Sequence, residues 1–187
     1  MKIIPAQRMA SFSSSIFSEL AQHKREQMQQ GQNIIDLSIG SPDLPPPPFV
    51  KETIASLAMD NQLYGYSLSG TEEFHQSVSS YYKKNYGVQL QFDTEIAQLM
   101  GSQDGLVHLP MALSNPNDYI LVPDPGYTAY ATGIAMAGSI PFYMPLSKEN
   151  HFLPDFSQIP EQIAHQTSMM ILNFPGNPIP VMATEEL

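Results

Sequence analysis

Apolar residues recur at helical spacing in three stretches of the N-terminal half of the chain. The first predicted helix covers about 15–30, with serines 13–15 as candidate caps at its start and Gly31 as its stop. A second covers about 49–59, and a third begins at a capping box of Ser69 and Glu72 and continues to about Tyr86. The third helix is expected to bury an apolar stripe formed by Phe74, Val78, Tyr81 and Tyr82.

A short apolar run and a proline-rich segment separate the first two predicted helices. Residues 34–39 predict a strand that ends at Gly40. The sequence Ser41-Pro42-Asp43-Leu44 and the four prolines 45–48 that follow it favour extended backbone with few hydrogen bonds. This segment is either an ordered arm or domain crossing, or a plain linker.

A different pattern begins at residue 96, where short apolar runs alternate with segments long enough for helices. The runs are 96–100, 119–122, 140–144 and 169–172. This alternation predicts an α/β fold with a mostly parallel sheet and helices on both faces. Right-handed crossovers place the strand-to-helix loops at the carboxyl edge of such a sheet, where open α/β sheets bind their ligands.

Composition and charge narrow the function classes. The 187 residues include 18 acidic and 8 basic side chains, and the resulting net charge of −10 argues against nucleic acid as a partner. The absence of cysteine excludes disulfides and thiolate metal sites and fits a reducing cytoplasm. No histidine has a partner at metal-ligand spacing, and no apolar run reaches the roughly 18 residues of a membrane span. We therefore expect a cytoplasmic protein that binds neither a metal nor a membrane.

Three turns that follow apolar runs carry residues suited to ligand binding. The turn at 101–105 opens a helix whose free N–H groups could hold a phosphate, although a Gly-Ser turn also caps ordinary helices, and His108 is expected to pack beneath it. Tyr127 follows a loop fixed by proline and glycine, and its ring either stacks on a flat heteroaromatic ligand or begins the core of the next helix. Asn177 could bind a phenolate or carbonyl oxygen, but by itself its surroundings are ordinary turn chemistry. The location of all three turns at one predicted edge favours the ligand-binding interpretation.

Five short motifs follow one another along the chain. They are Leu37-Ser38-Ile39-Gly40-Ser41-Pro42-Asp43, Tyr64-Gly65-Tyr66 with Gly70, Gly101-Ser102-Gln103-Asp104-Gly105, Asp124-Pro125-Gly126-Tyr127, and Asn173-Phe174-Pro175-Gly176-Asn177-Pro178. In this order they resemble the class I/II aminotransferases, which are pyridoxal-phosphate enzymes of fold type I. The resemblance spans nearly the whole chain and is nearest to the aspartate, alanine and diaminopimelate aminotransferases.

The resemblance implies cofactor contacts for residues of three motifs. Gly101, Ser102 and Gln103 would hold the phosphate of pyridoxal 5'-phosphate through backbone N–H groups and the serine hydroxyl. Tyr127 would stack on the pyridine ring, and Asn177 would hydrogen-bond its phenolic oxygen. These roles come from the family and not from the spacing of the residues.

The same resemblance implies which residues contact the substrate and the second subunit, and which reaction the family catalyses. Gly40 would lie beside the substrate carboxylate, and either Tyr64 or Tyr66 would reach the cofactor phosphate of the other subunit of a homodimer. Residues 1–45 would form an N-terminal arm and part of a small domain, and residues 46–187 the first part of the large cofactor-binding domain. The implied reaction, in amino-acid metabolism, transfers an amino group between an amino acid and a 2-oxo acid.

Two departures from the family pattern affect the expected activity. Ile179-Pro180 stands where the family usually has Thr-Gly, and the sequence ends at Leu187, before the family's cofactor-binding lysine, aspartate and arginines. The six lysines present are expected on solvated surfaces, so we expect no activity from this chain alone. A carbon–sulfur lyase or synthase of the same fold, and a non-catalytic binding or dimerisation module of this fold, remain the alternatives.

Overall fold

The chain forms two compact units in a computed structural model that describes residues 4–12, 16–38, 40, 42–66, 68–185 and 187. One unit consists of residues 14–98, and the other combines residues 1–13 with residues 99–187. The division into an arm at 1–45 and a large domain at 46–187 stays a prediction.

Three α-helices form the frame of the unit at 14–98. They are α1 (Ile16–Gln29), α2 (Pro48–Ala58) and α3 (Glu72–Tyr86), and a 3₁₀ turn at Asn61–Leu63 follows α2. The three helices predicted in this part of the sequence are therefore confirmed. The serines at 13–15, predicted to cap α1, lie outside the described residues.

The start of α3 differs from the predicted capping box. Thr71 and not Ser69 is the N-cap, and its side chain accepts a hydrogen bond from the backbone N–H of Phe74 at 3.2 Å. A helix beginning after Ser69 would place glycine in its first turn, which costs backbone entropy. The observed start instead places Glu72 and Glu73 in the first turn, where their negative charges interact favourably with the helix dipole.

The apolar stripe predicted to be buried on α3 is largely exposed. Phe74 is 43% exposed, Tyr81 55% and Tyr82 42%, and Val78 is only half-buried. Helical periodicity identifies the apolar face of a helix, but burial requires a second element to cover that face. Tyr81 and Tyr82 instead contact each other and Tyr86 as an exposed aromatic group.

The strand predicted at 34–39 is wrong for the residues that are described there. Residues 34–37 have no regular structure, Ser38 lies in a bend, and Ile39 lies outside the described residues. The Asp36 carboxylate accepts hydrogen bonds from the backbone N–H and the hydroxyl of Ser38. Such a local side-chain bond replaces the cross-strand bond that a strand would need.

The second unit is an α/β sheet with helices, as the alternating pattern predicts. Its elements are a 3₁₀ turn at Gln7–Ser11, α4 (Ser102–Leu113), β1 (Tyr119–Asp124), α5 (Thr128–Ala137), β2 (Ile140–Pro145), a 3₁₀ turn at Phe156–Gln158, α6 (Glu161–His165) and β3 (Thr167–Met170). The strands run parallel in the order β2-β1-β3. None of the helices in the described ranges is long and apolar enough to cross a membrane.

Two of the predicted strands are confirmed, a third is shifted, and the predicted run at 96–100 is not a strand. β1 and β2 contain the runs at 119–122 and 140–144, whereas β3 begins two residues before the predicted run at 169–172. Residues 96–99 form no strand, and Met100 lies in a bend directly before α4. An apolar run becomes a strand only where a neighbouring strand supplies hydrogen bonds, and local sequence does not encode that neighbour.

The core of this unit lies between the central strand and α5. Ile120, Val122, Tyr130, Ile134 and Ile171 form one buried cluster. Helices α4 and α5 pack closely where Gly133 meets the backbone of α4, because an added Cβ would lie 2.7 Å from the carbonyl oxygen of Leu106. This close contact fixes the position of α4 against α5.

Candidate functional site

Two of the three predicted ligand-binding turns leave the carboxyl edge of the sheet. Tyr127 belongs to the loop that follows β1, and Asn177 belongs to the loop that follows β3. Because both strands are parallel, their carboxyl ends lie at the same edge. The topology therefore places these two loops where open α/β sheets bind ligands.

The third turn opens α4. Gly101 is the N-cap, with φ +92° and ψ 157°, a backbone conformation that is essentially restricted to glycine. Ser102 and Gln103 are the first two helical residues, and both are exposed. The N–H groups of a helix's first turn have no acceptor within the helix, so they are available to an anion.

Asp104 holds the backbone around this turn. Its carboxylate accepts a hydrogen bond from the backbone N–H of Met100 at 3.2 Å, and its Oδ1 lies 2.7 Å from Nδ1 of His108. The carboxylate therefore bridges the residue before Gly101 and the second turn of α4. The packing role expected for His108 is wrong, because its side chain is 66% exposed and pairs with Asp104.

Tyr127 joins the loop after β1 to the first turn of α4. Its hydroxyl donates a hydrogen bond to Oε1 of Gln103 at 2.7 Å. Its ring meets the buried ring of Tyr130 edge to face, with 5.9 Å between centroids and 80° between planes. Tyr127 is the N-cap of α5 and packs against the core cluster. It therefore lies at the start of the core of α5, as one of its two interpretations predicts, and it also contacts the first turn of α4.

Asn177 lies at a cleft that also reaches the loop after β1. Gly126, Tyr130 and Asn177 line this cleft together, and its apolar walls include Leu146, Phe152 and Phe174. The backbone N–H of Gly176 donates to the carbonyl oxygen of Ile179 at 3.0 Å, which closes the turn that carries Asn177. Ile179, one of the two departures from the family pattern, is itself part of the wall.

Two apolar wall residues of the cleft, Leu146 and Phe152, are not predicted as site residues from the sequence. Leu146 directly follows β2, and its backbone N–H donates to the carbonyl oxygen of Asp124 at 2.8 Å. Its position after a parallel strand is the one sequence signal that could have identified it. Phe152 and the preceding His151 lie in a turn and both have positive φ. Such a turn leaves no clear pattern in the sequence.

The other predicted site residues belong to the unit at 14–98. An added Cβ at Gly40 would have no neighbouring atom within 4 Å. The hydroxyl of Tyr64 donates to the carbonyl oxygen of Ala58 at 2.6 Å, whereas the side chain of Tyr66 is fully exposed. The roles of Gly40, Tyr64 and Tyr66 at a shared site stay predictions.

The described part of the chain has neither a lysine at the cleft nor a cluster of metal ligands. No lysine is among the described residues that line the cleft, and Lys24 forms an ion pair with Asp36 at 2.7 Å. The ranges that the structure describes contain no group of three or more histidine, aspartate or glutamate side chains that could hold a metal ion. What the loops at the sheet edge offer instead is backbone donors, an aromatic ring and an amide.

Comparisons with known proteins agree on one family. The model of the family described as aminotransferase class I and II matches residues 32–187. The LL-diaminopimelate aminotransferase of Aquifex aeolicus is 38% identical over 91% of this chain and 44% of its own length. The L-glutamine–4-(methylsulfanyl)-2-oxobutanoate aminotransferase of Bacillus subtilis is 37% identical over 100% of this chain and 47% of its own length.

A comparison of structures leads to the same family. The apo structure of BacF from Bacillus subtilis superimposes with a TM-score of 0.89 at 35% identity and covers 100% of this chain and 48% of its own. The chain thus spans about half the length of the relatives it matches. The observed parallel sheet with its helices corresponds to the N-terminal half of such structures.

Proposed function

This chain belongs to the class I and II aminotransferases, and from that premise we propose that its carboxyl-edge loops form the pyridoxal-phosphate contacts of an aminotransferase site. The complete enzyme would transfer an amino group between an amino acid and a 2-oxo acid. The observation that carries the proposal is the 2.7 Å hydrogen bond from Tyr127 to Gln103. This bond connects an aromatic ring that can stack on the cofactor with a helix N-terminus that can bind its phosphate.

The residues present fit the chemistry of that cofactor. Gly101 has open space around it, and Ser102 and Gln103 follow it in the first turn of α4, so a phosphate can approach their backbone N–H groups and the serine hydroxyl. Tyr127 would stack on the pyridine ring, and Asn177 would donate from its side-chain amide to the phenolic oxygen. When bound, the cofactor supplies an electron sink that stabilises negative charge at the substrate Cα.

The remaining roles concern the substrate and a second subunit. Gly40 would leave room for the substrate carboxylate, and Tyr64 or Tyr66 would reach the phosphate held by the partner of a homodimer. Relatives of closely similar identity are named for different amino donors. We therefore propose amino acid and 2-oxo acid substrates as a class and no single donor.

We further propose that this chain alone does not catalyse the reaction. A lysine that binds this cofactor covalently needs a desolvated or cation-lined pocket to lower its pKa. The described lysines Lys51, Lys83, Lys84 and Lys148 are exposed, and Lys24 is held by Asp36. With the phosphate, ring and phenolate contacts but no such lysine among the described residues, we expect the chain to bind the cofactor reversibly.

The test of cofactor binding compares pyridoxal 5'-phosphate with pyridoxal. The purified chain is titrated with each compound by equilibrium dialysis, and we expect clear preference for the phosphorylated form. Ser102→Ala should weaken binding of pyridoxal 5'-phosphate by roughly tenfold or more, because a hydrogen bond to a charged group is lost. Ser80→Ala, an exposed serine of α3, is the matched control. Equal affinity for the two compounds would reject the phosphate site.

The test of inactivity uses borohydride reduction. The chain is incubated with pyridoxal 5'-phosphate, reduced, digested and mapped by mass spectrometry, and amino transfer is assayed in parallel. We expect scattered, substoichiometric adducts on exposed lysines and no turnover. A stoichiometric adduct on one lysine together with turnover would overturn the proposal.

A further inference from the structure

The ring of Tyr127 is held by two contacts. It meets the ring of Tyr130 edge to face, and Tyr130 is only 3% exposed within the core cluster. Its hydroxyl donates to Oε1 of Gln103 at 2.7 Å, close to the preferred distance of about 2.7–2.8 Å for such bonds. One anchor is therefore a buried core residue, and the other is the side chain of the second residue of α4.

These two anchors act on different motions of the ring. The packing contact with Tyr130 limits how far the Tyr127 ring can approach the core. A hydrogen bond at the hydroxyl, the atom farthest from the backbone, limits how far the outer end of the ring can swing sideways. The position of that end therefore depends on Gln103, and Gln103 moves with the first turn of α4.

We propose that Gln103 is a positioning residue: its side chain fixes where the ring of Tyr127 lies and couples ring stacking to phosphate binding at the N-terminus of α4. This inference rests on the proposed function and adds a side-chain role to the backbone role of Gln103. An anion bound at the first turn of α4 would also steady Gln103, and Gln103 would then hold the Tyr127 ring in place for stacking. Loss of the hydrogen bond separates the two contacts.

The first test measures cofactor affinity and a spectroscopic signature together. Gln103→Met, Tyr127→Phe and the double variant are titrated with pyridoxal 5'-phosphate, and the induced circular dichroism of the bound chromophore is recorded. Each single variant should bind roughly three- to tenfold more weakly, because each loses the same hydrogen bond. The double variant should bind no more weakly than the single variants, and the dichroism band should shrink in all three.

A conservative variant distinguishes positioning from a general structural role. Gln103→Glu keeps an acceptor for the Tyr127 hydroxyl, so it should retain the dichroism band even though its negative charge weakens phosphate binding. If Gln103→Met fails to fold, as judged by far-ultraviolet dichroism, Gln103→Glu and Tyr127→Phe still decide the question. Unchanged dichroism in Tyr127→Phe, or losses of affinity that multiply in the double variant, would overturn the proposal.

The second test needs no cofactor and separates this inference from the proposed function. Tyrosine rings are labelled with carbon-13, and the Tyr127 resonance is assigned by its loss in Tyr127→Phe. In the parent chain we expect cross-relaxation between the Tyr127 ring and the Gln103 side chain. In Gln103→Met, the chemical shift of Tyr127 should move toward that of a free tyrosine, while the chemical shift of Tyr130 should stay unchanged. An unmoved Tyr127 resonance would reject the positioning role. Absence of pyridoxal 5'-phosphate binding together with a moved resonance would reject the proposed function and the coupling to phosphate binding, and would leave the positioning of the Tyr127 ring by Gln103 intact.

Discussion

Gly133 of α5 lies directly against the carbonyl oxygen of Leu106 in α4, so that an added Cβ would be 2.7 Å from that oxygen and 3.1 Å from Cα of Val107. Both obstructing atoms belong to the backbone and cannot rotate away. Gly133→Ala should therefore destabilise the chain by up to about 2 kcal/mol, because overpacking costs about 1–3 kcal/mol and the gain in helix propensity offsets only about 1 kcal/mol of that cost. Urea unfolding followed by circular dichroism measures the difference.

Gly105→Ala is the matched control for this prediction. Gly105 is also a buried helical glycine, but the nearest atom to its added Cβ is Cδ1 of Leu99 at 2.6 Å, the far end of a flexible side chain. Leu99 can turn away, so we expect Gly105→Ala to be neutral or slightly stabilising. Equal destabilisation by both substitutions would show that backbone contact between α4 and α5 does not decide the outcome.

The sequence predicts the elements better than it predicts their neighbours. Strands β1 and β2 and the helices are visible as apolar runs or apolar periodicity, because these patterns reflect which parts of an element avoid water. The run at 96–100 and the stripe on α3 are just as apolar, yet neither has the partner that would make it a strand or bury it. Partners come from distant parts of the chain and leave no local pattern.

The candidate site is likewise only partly predictable from the sequence. The loops carrying Tyr127 and Asn177 are predictable, because parallel strands must end at one edge. The hydrogen bond between Gln103 and Tyr127 is not, since it joins residues 24 positions apart and depends on how closely α4 packs against α5. Glycine at 133 permits that packing, but its identity alone does not specify which helix it meets.

The N-cap of α3 provides a prediction about local stability. Thr71→Ala removes the hydrogen bond from the backbone N–H of Phe74 and should destabilise α3 by about 1 kcal/mol. Thr71→Ser keeps the hydroxyl and should cost much less. Native-state hydrogen exchange of the first-turn amides of α3 measures the effect. A larger loss of protection in Ser69→Ala than in Thr71→Ala would instead favour the predicted capping box.

Asp36 provides a prediction about pH. Its hydrogen bond with Lys24 is the main reason that its pKa lies well below the ordinary value, and the two bonds from Ser38 lower the pKa further. A carboxylate whose pKa is lower in the folded than in the unfolded chain stabilises the fold at pH values above its unfolded pKa of about 4. That stabilisation is lost as the pH falls from about 4 through the folded-state pKa. Because the pair is partly exposed, we expect a small effect.

Carboxyl resonances followed by NMR over a pH series measure the pKa of Asp36 directly. Lys24→Gln should raise it further toward the ordinary value than Ser38→Ala, which keeps the backbone N–H donor of residue 38. The stability difference between the parent chain and Lys24→Gln should be present at neutral pH and shrink below about pH 4. A larger rise in Ser38→Ala would show that Ser38, and not Lys24, is the main cause of the low pKa.

Exposed apolar side chains predict that this chain self-associates. Leu37 is 91% exposed and Leu68 97%, and β2 and β3 form the edges of the described sheet, each paired only with β1. Apolar surface and unpaired strand edges both favour association, so sedimentation at increasing concentration should give an average mass above that of the monomer. Replacing Leu37 and Leu68 by lysine should lower that mass.

The control places lysine at Ser80 and Gln89, which are exposed and polar, and so adds equal charge without removing apolar surface. It should lower the average mass much less, especially at high salt, where charge repulsion is screened. A compact monomer with a cooperative melt, or equal effects of the two double variants, would contradict the prediction, because apolar exposure would then not drive the association.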